Sequence, residues 1–438
     1  MLSSRLPKDL SPSPFFAELE RAKADVLAEC ANADALPFID MTVSSPVKAG
    51  LPVDLDEAVD EGRKAFGNWS PDAAGWKSAR EAVVEYYRER GGNFTAGQII
   101  LTASTSEAYS VLFKTFCDPG DVILTPMPGY PLLDTLAQLE HLECAPYFLK
   151  IRRENVRRRA TDERQKGATF RFVLDSDSLL AAPEHAKILL LVSPHNPTGH
   201  CVLREEWNEA VRFCEENNMI LVVDEVFGDY AFSDKVSRTW QYVFGERENV
   251  ILDPGVPSAI GEGIWDAGGG DFINLPENGP KCPIFWLNGL SKAVGSPQLK
   301  LGWMAFYAPR ENFEEIRAAL EFVEDAYLSV SAPAQALGIS LLPKASAYES
   351  KVLDRLQQNW QTLREAFPSK YCPEVLGGWY AVVRLGEDDE ELTLRLLREK
   401  HVLVQPGFFF DFDEDGCVVM SLLQDPAIFK EAIQRIKQ

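Results

Sequence analysis

Short, continuous runs of apolar residues recur along the chain and alternate with stretches of helical spacing. Three of these runs cover residues 188–192, 220–223 and 284–287. They are rich in branched side chains and show no alternation with polar residues, which is typical of strands buried on both faces of a parallel sheet. Because strand and helix patterns alternate between residues 51 and 310, the pattern predicts βαβ units and a doubly wound, mostly parallel sheet.

The pattern changes on either side of this region. Residues 14–27 have helical spacing, and an extended segment follows them to residue 50. Residues 312–361 are predicted to be mostly helical, with a break near residues 331–333. The remainder predicts two helices and short strands at residues 379–383, 402–404 and 418–420. The predicted fold class is therefore α/β, with a large, doubly wound domain and a smaller α+β domain.

A polar side chain follows each of the three apolar runs. Asn196 comes shortly after the first run, Asp224 directly after the second, and Lys292 after the third. Ligands bind outside the carboxyl ends of strands in open α/β sheets, so an amide, a carboxylate and an amine are expected in one crevice. A lysine presented there can form a Schiff base with an aldehyde or ketone.

A fourth segment predicts a phosphate site. Residues 98–101 read as a strand, and the following residues open a helix that carries hydroxyls at Ser104, Thr105 and Ser106. Free backbone N–H groups and the positive end of the helix dipole favour a bound phosphate there. The same residues also suit a simple helix cap, so this segment alone leaves both interpretations open.

Together these features describe a pyridoxal 5'-phosphate site, and the chain resembles the class I/II aminotransferases of the aspartate aminotransferase superfamily, which have fold type I. The resemblance runs from residues 39–46 to residues 421–423. An ordered set of motifs carries it: Ser-Thr-Ser-Glu-Ala at 104–108, Pro-Met-Pro-Gly-Tyr at 126–130, His-Asn-Pro-Thr-Gly at 195–199, Asp-Glu-Val-Phe at 224–227 and Leu-Ser-Lys at 290–292. The resemblance implies a fold type I transferase that uses pyridoxal 5'-phosphate.

The resemblance assigns three catalytic roles. Asp224 pairs with the pyridine nitrogen of the cofactor and favours its protonated form. Asn196 donates to the phenolic oxygen. Lys292 holds the cofactor as an aldimine and, once the substrate displaces it, moves the proton between the substrate and the cofactor.

Further cofactor contacts follow from the same resemblance. Tyr130 is expected to stack on the pyridine ring, and the phosphate ligands are expected to be Ser104, Thr105, Ser106, Ser291 and Lys300. Members of the family are dimers in which an aromatic residue of the neighbouring subunit reaches the phosphate, and Trp69 stands at about that position. We therefore expect a homodimer. The pattern of the chain divides it into an N-terminal arm at residues 1–50, a large cofactor-binding domain at 51–310 and a small domain at 311–438, and the resemblance implies that the arm packs with the small domain.

The sequence departs from the family pattern at several positions. Lys300 replaces the usual phosphate-binding arginine and lacks its bidentate fork. Gly289 lacks the usual hydroxyl, and Phe227 cannot donate a hydrogen bond as the usual tyrosine does. The segment before Ser421 contains no arginine to bind the substrate carboxylate.

The replacement for this carboxylate-binding arginine is open from the sequence. One alternative is that another cation, such as Arg384 or Lys300, binds the substrate carboxylate. The other is that the amino donor differs from an ordinary α-amino acid. The identity of donor and acceptor is likewise open, as are the roles of the basic stretch at residues 150–166 and of the Gly- and Pro-rich stretch at residues 253–283.

Composition excludes several other classes. A net charge of −22 disfavours binding to nucleic acid or to an anionic membrane. The eight cysteines show neither a CxxC pair nor the spacing of metal ligands, so no metal is expected and a reducing cytoplasm fits. No apolar stretch approaches the roughly 20 residues of a membrane span.

The predicted function is an aminotransferase that moves an amino group from an amino acid to a 2-oxo acid by a ping-pong mechanism through the Lys292 aldimine. The alternative is a lyase of the same fold, for example one that cleaves a carbon–sulfur bond by β-elimination, because it uses the same carbanion. A regulatory protein that binds the cofactor without catalysis is disfavoured, since Lys292 and Asp224 are both present.

Overall fold

The computed structural model describes residues 3–11, 13–31, 36–155, 168–183, 185–232, 236–244, 264–265, 272–273, 276 and 279–438. The strands are β1 (Ile39–Asp40), β2 (Ile99–Thr102), β3 (Val122–Met127), β4 (Glu143–Asn155), β5 (Ala168–Leu174), β6 (Ala186–Val192), β7 (Ile220–Asp224), β8 (Ile264–Trp265), β9 (Phe272–Ile273), β10 (Ile284–Gly289), β11 (Gly302–Tyr307), β12 (Tyr380–Arg384), β13 (Val402–Leu403), β14 (Gln405–Pro406) and β15 (Cys417–Ser421). The helices are α1 (Pro14–Glu29), α2 (Asp56–Lys64), α3 (Lys77–Arg88), α4 (Thr105–Phe116), α5 (Leu132–Leu139), α6 (Ser176–Leu180), α7 (Arg204–Asn217), α8 (Gln241–Phe244), α9 (Leu290–Ala293), α10 (Phe313–Asp325), α11 (Ala332–Leu341), α12 (Ala345–Ala366), α13 (Asp389–Lys400) and α14 (Pro426–Ile436).

The main sheet has eight strands in the order β2-β11-β10-β7-β6-β3-β4-β5. The five strands from β10 to β4 run parallel to one another, whereas β11 is antiparallel to both of its neighbours and β5 is antiparallel to β4. Every residue of β10 and β11 is buried, as expected for strands covered on both faces. The predicted fold class, α/β with a mostly parallel large sheet and a smaller α+β part, is confirmed.

The register of the parallel strands brings the predicted functional residues to one edge of the sheet. Val192 at the end of β6 lies opposite Asp224 at the end of β7, and Asp224 lies opposite Leu287 of β10. The chain leaves β6 towards Asn196 and leaves β10 towards Lys292 at this edge. The strand ends therefore deliver both side chains beside Asp224.

A smaller antiparallel sheet in the order β12-β15-β14 lies in the C-terminal part. The N-terminal segment contacts this part, because β1 pairs in parallel with β13 and helix α1 packs against α13. Side chains from both segments form a separate apolar cluster: Phe15, Leu19, Ala22, Val26, Leu397 and Leu403. The division of the chain at residues 50 and 310 stays a proposal.

Two stretches that the sequence left open fall largely outside the described residues. These are residues 156–166 of the basic stretch and most of residues 253–283. At the edge of the first, Lys150 pairs with Asp175, and Arg171 pairs with Glu154. None of the helices in the described ranges is both long and apolar enough to cross a membrane.

Candidate active site

The carboxyl ends of β2, β6, β7 and β10 surround a cavity with a volume of about 320 Å³. This is the size expected for a small-molecule or cofactor site. Its wall contains every predicted site residue except Trp69. The lining residues that carry polar side chains are Ser44, Ser104, Thr105, Ser106, Tyr109, Tyr130, Asn196, Asp224, Ser291, Lys292, Lys300 and Tyr380.

Lys292 enters the cavity from α9, the single helical turn that follows β10. Its Nζ lies 4.8 Å from the centre of the Trp379 ring and 5.5 Å from that of the Phe227 ring. Burial lowers the pKa of Lys292 to about 8, although the charge of Asp224 opposes this shift. A larger part of this amine is therefore neutral near physiological pH than of an ordinary lysine, and a nucleophile or base must be neutral.

Asp224 ends β7 and is held by two hydrogen bonds. The hydroxyl of Tyr109 donates to Oδ2 at 2.7 Å, and the backbone N–H of Val226 donates to Oδ1 at 3.0 Å. Burial raises the pKa of Asp224, while the two donors and the nearby Lys292 act in the opposite direction. A cation bound next to this carboxylate would further favour its charged form.

Tyr109 is a site residue that the sequence interpretation missed. It lies on α4 four residues after Thr105, so both residues stand on the same face of the helix, one turn apart. This spacing was visible in the sequence. What the sequence did not show is that α4 aims this face at the end of β7, because that contact depends on tertiary packing.

Asn196 lies in the turn that follows β6. The backbone N–H of Gly199 donates to the carbonyl oxygen of His195 at 2.8 Å, and that of His195 donates to the carbonyl oxygen of His200 at 2.7 Å. The Asn196 Oδ1 atom is buried and has no hydrogen-bond partner within the described ranges. Since buried polar atoms are rarely left unpaired, this amide is suited to a bound ligand.

The N-terminus of α4 forms one end of the cavity. Ser104 is the N-cap of this helix and accepts a hydrogen bond from the backbone N–H of Glu107 at 3.2 Å, so the helix-cap interpretation is correct for its side chain. Thr105 and Ser106 lie in the first turn, where backbone N–H groups have no partner within the helix. An anion can bind to these groups.

Lys300 supplies a positive charge near this helix end. Its backbone is left-handed, with φ of 53°. The chain then passes directly beside Ser104, because a Cβ atom added at Gly302 would lie 3.2 Å from the Ser104 Cα atom. The position of this segment fits the predicted contact of Lys300 with a phosphate on α4.

Tyr130 and Trp69 are placed differently. Tyr130 lines the cavity with 47% of its surface exposed, and the backbone N–H of its neighbour Gly129 donates to the Phe410 carbonyl oxygen at 2.8 Å. Trp69 is 78% exposed and lines a separate surface pocket together with Leu328. Within one chain, Trp69 therefore does not reach the cavity.

The surroundings of Phe227 and Gly289 bear on two of the departures from the family pattern. Tyr230, which lies near Phe227, donates its hydroxyl to the Lys292 carbonyl oxygen at 2.6 Å and so does not replace the missing donor at Phe227. At Gly289, an added Cβ atom would lie 3.0 Å from the Cα atom of Gly302 and from the Leu301 carbonyl oxygen. A larger residue at this position would thus press against the backbone of the neighbouring strand.

Comparisons with known proteins agree with this geometry. A model of the family described as "Aminotransferase class I and II" matches residues 50–436. The chain is 22% identical over 382 residues to the tyrosine aminotransferase of Caenorhabditis elegans, a match that covers 85% of this chain and 71% of that protein. It is 24% identical over 355 residues to the alanine aminotransferase of Mycobacterium bovis, covering 78% of this chain and 71% of the relative.

Solved structures show the same fold. The alanine aminotransferase of Pyrococcus furiosus aligns with a TM-score of 0.72 and 21% identity over 98% of each chain. A double mutant of the Thermus thermophilus aspartate aminotransferase aligns with a TM-score of 0.73 and 19% identity, covering 100% of this chain and 99% of the other.

Proposed function

The chain belongs to the class I and II aminotransferase family, and we propose that the cavity at the strand ends is its active site, with Lys292 as the residue that holds the cofactor. The enzyme is an aminotransferase that depends on pyridoxal 5'-phosphate and transfers an amino group from an amino donor to a 2-oxo acid. The observation that carries the site assignment is the buried amine of Lys292 beside Asp224, at the wall of one cavity.

The residues of the cavity fit this cofactor from one end to the other. The N-terminus of α4 with its hydroxyls, Ser291 and Lys300 suits the phosphate group. Asp224 suits the protonated ring nitrogen, and Asn196 suits the phenolic oxygen because its side-chain NH₂ group can donate to it. Tyr130 supplies an aromatic face for the ring.

When bound, pyridoxal 5'-phosphate supplies an aldehyde that takes up the amino group and a ring that accepts the electron pair left by the departing α proton. Asp224 keeps the ring nitrogen protonated, because a carboxylate favours a neighbouring cation. Lys292 accepts the α proton and returns it at the other carbon, for which its lowered pKa of about 8 is suitable.

Chemical trapping tests the assignment of Lys292. Sodium borohydride fixes the cofactor to the amine that holds it, so peptide mapping of the reduced protein should find the added mass on the peptide that contains Lys292. A labelled peptide elsewhere in the chain would contradict the proposed site. As a check on the reaction, an amino donor alone should convert one equivalent of cofactor, and turnover should continue only after a 2-oxo acid is added, whereas steady ammonia release without an acceptor would indicate a lyase.

We further propose that the enzyme is a homodimer in which Trp69 reaches the active site of the neighbouring subunit. The exposed aromatic residues Phe66 and Trp69 lie in one segment, and Phe322 and Tyr327 lie in another. The two segments meet, because Trp69 and Leu328 line the same surface pocket. Exposed apolar groups of this kind commonly mark an interface with another protein.

Sedimentation tests the homodimer. We expect the wild-type protein to sediment at twice the chain mass of 48.9 kDa. Trp69→Ala should weaken cofactor binding, while the cofactor that does bind should still be attached to Lys292. Leu180→Ala is the matched control, since Leu180 is 77% exposed but lies in another segment. A monomer that binds the cofactor fully would exclude the shared site.

We also propose a cytosolic location, which is supported by eight cysteines that are all free.

A further inference from the structure

Among the described residues, the wall of the cavity contains no arginine whose guanidinium group could pair with a substrate carboxylate. Lys292 and Lys300 are the cations among the described residues of its wall. Arg384, one of the replacements left open by the sequence, pairs with Glu414 and does not line the cavity. Strand β15, where the family arginine is expected, is buried at all five positions and contains Val419 and Met420.

Lys300 is assigned to the cofactor phosphate at one end of the cavity. Its chain continues through Leu301 to Gly302, which lies against the backbone of Ser104 at the start of α4. Lys292 is reserved for the cofactor. A substrate carboxylate at the opposite end of the cavity therefore has neither of these cations as its partner.

Two hydroxyl groups from other parts of the chain also line the cavity, that of Tyr380 in the C-terminal part and that of Ser44 in the N-terminal segment. Tyr380 begins β12, is only 8% exposed and lines the cavity. Its ring centre lies 6.0 Å from that of Phe227, whose ring in turn lies 5.5 Å from the Lys292 Nζ. Ser44, exposed in the segment after β1, lines the same cavity, and its hydroxyl lowers the pKa of the Tyr380 phenol while Tyr130 raises it.

On the basis of the proposed active site, we propose that the hydroxyl groups of Tyr380 and Ser44 bind the carboxylate of the amino donor and of the 2-oxo acid in place of an arginine. Each hydroxyl can donate one hydrogen bond to a carboxylate oxygen. Hydrogen bonds to a charged acceptor are shorter and stronger than those between neutral groups. The two donors come from segments far apart in sequence, so this anchor forms only in the folded chain.

The state of the Tyr380 hydroxyl supports this role. Burial raises the pKa of Tyr380 to about 12, with Tyr130 contributing in the same direction. The phenol therefore keeps its proton throughout the neutral range and remains a donor. A carboxylate held in this way is recognised by hydrogen bonds rather than by a salt bridge, so its binding should depend only weakly on salt.

Two pairs of probes isolate the carboxylate. L-alanine and ethylamine differ by one carboxylate, and so do L-tyrosine and tyramine. The holoenzyme is mixed with each probe, and the change in cofactor absorbance gives an apparent Kd and a maximal rate for the half-reaction. For Tyr380→Phe we expect the apparent Kd of the amino acids to rise about 10- to 100-fold, which corresponds to the loss of one hydrogen bond to a charged group. The apparent Kd of the amines and the maximal rate should stay close to those of the wild type.

A second variant and a control complete the experiment. Ser44→Ala should show the same selective effect with a smaller rise, because Ser44 is more exposed to water. Tyr371→Phe removes a phenol hydroxyl that is exposed in the same part of the chain and should change nothing. An equal rise for amino acids and amines in Tyr380→Phe would show a packing role and overturn the anchor, and so would unchanged values for both. Borohydride labelling of Lys292 in each variant keeps a failure of the anchor distinct from a failure of the proposed active site.

Discussion

Lys292→Ala is expected to lower the turnover of the enzyme by about 10⁴-fold or more, because the change removes both the amine that holds the cofactor and the base that moves the α proton. With a pKa of about 8, roughly a tenth of this amine is neutral at pH 7, so the wild-type side chain can act as a base under assay conditions. Alanine offers no group that could replace it. The measurement is steady-state turnover of an amino donor with a 2-oxo acid.

The same variant should fold normally. The Lys292 Nζ is buried and lies over the Trp379 and Phe227 rings, so its removal takes away a charge whose burial opposes folding. Lys370→Ala, which removes an ammonium group 5.5 Å from the exposed Tyr371 ring, is the matched control and should retain full activity. Retention of most of the activity by Lys292→Ala would contradict the proposed site.

The stability of this variant should depend on pH with a definite sign. The pKa of Lys292 is lowered to about 8 in the folded chain from an ordinary value of about 10.4, so the unfolded chain binds more protons between these two values. The stability of the cofactor-free wild type relative to Lys292→Ala should therefore rise with pH across this window. Below pH 8 the variant should have the higher Tm, and above pH 10.5 this advantage should disappear.

The strands that carry the site were predictable because their environment is simple. The runs at residues 188–192, 220–223 and 284–287 are apolar without alternation, and the structure buries them inside a mostly parallel sheet. Parallel strands of this kind present their carboxyl ends at one edge, so three neighbouring strand ends were enough to predict a common cavity.

The strand order could not be read in the same way. Strand β11 follows β10 directly in the chain but pairs with it in the antiparallel sense and separates it from β2. An apolar run indicates that a strand is buried, but it does not indicate which strand pairs with it or whether the two run parallel or antiparallel. The same pairing favours glycine at position 289, because a Cβ atom there would make tight contacts of 3.0 Å with the backbone of Leu301 and of the opposite residue Gly302.

The roles of side chains that depend on a partner distant in sequence could also not be predicted from the sequence. Tyr109 is separated from Asp224 by more than a hundred residues, and its hydrogen bond exists because α4 packs against β10 and β11 and brings Tyr109 to the end of the adjacent strand β7. Arg384 was one of two cations considered for the substrate carboxylate, and its pairing with Glu414 shows where it is engaged instead. In both cases the residue type was visible and its neighbour was not.

Asp224→Asn is expected to lower kcat/KM by about 10³-fold, because an amide of the same shape has no charge to favour a protonated ring nitrogen. The fold should tolerate the change. The side-chain oxygen of asparagine can still accept from the Val226 N–H, and its NH₂ group can donate to the Tyr109 hydroxyl. The variant should still be labelled at Lys292 by borohydride, which separates a loss of electron withdrawal from a loss of cofactor. A variant with nearly wild-type kcat/KM would exclude the pairing of Asp224 with the ring.

Tyr109→Phe shows whether the hydroxyl acts through Asp224. Removing one hydrogen bond to the carboxylate should lower kcat/KM only by roughly tenfold, since Asp224 keeps its charge and its bond from Val226. In the Asp224→Asn background the same change should have little further effect, because the carboxylate that the hydroxyl supports is already absent. Fully additive losses in the double variant would mean that Tyr109 contributes by another route, for example through its own contact with the bound ligand in the cavity.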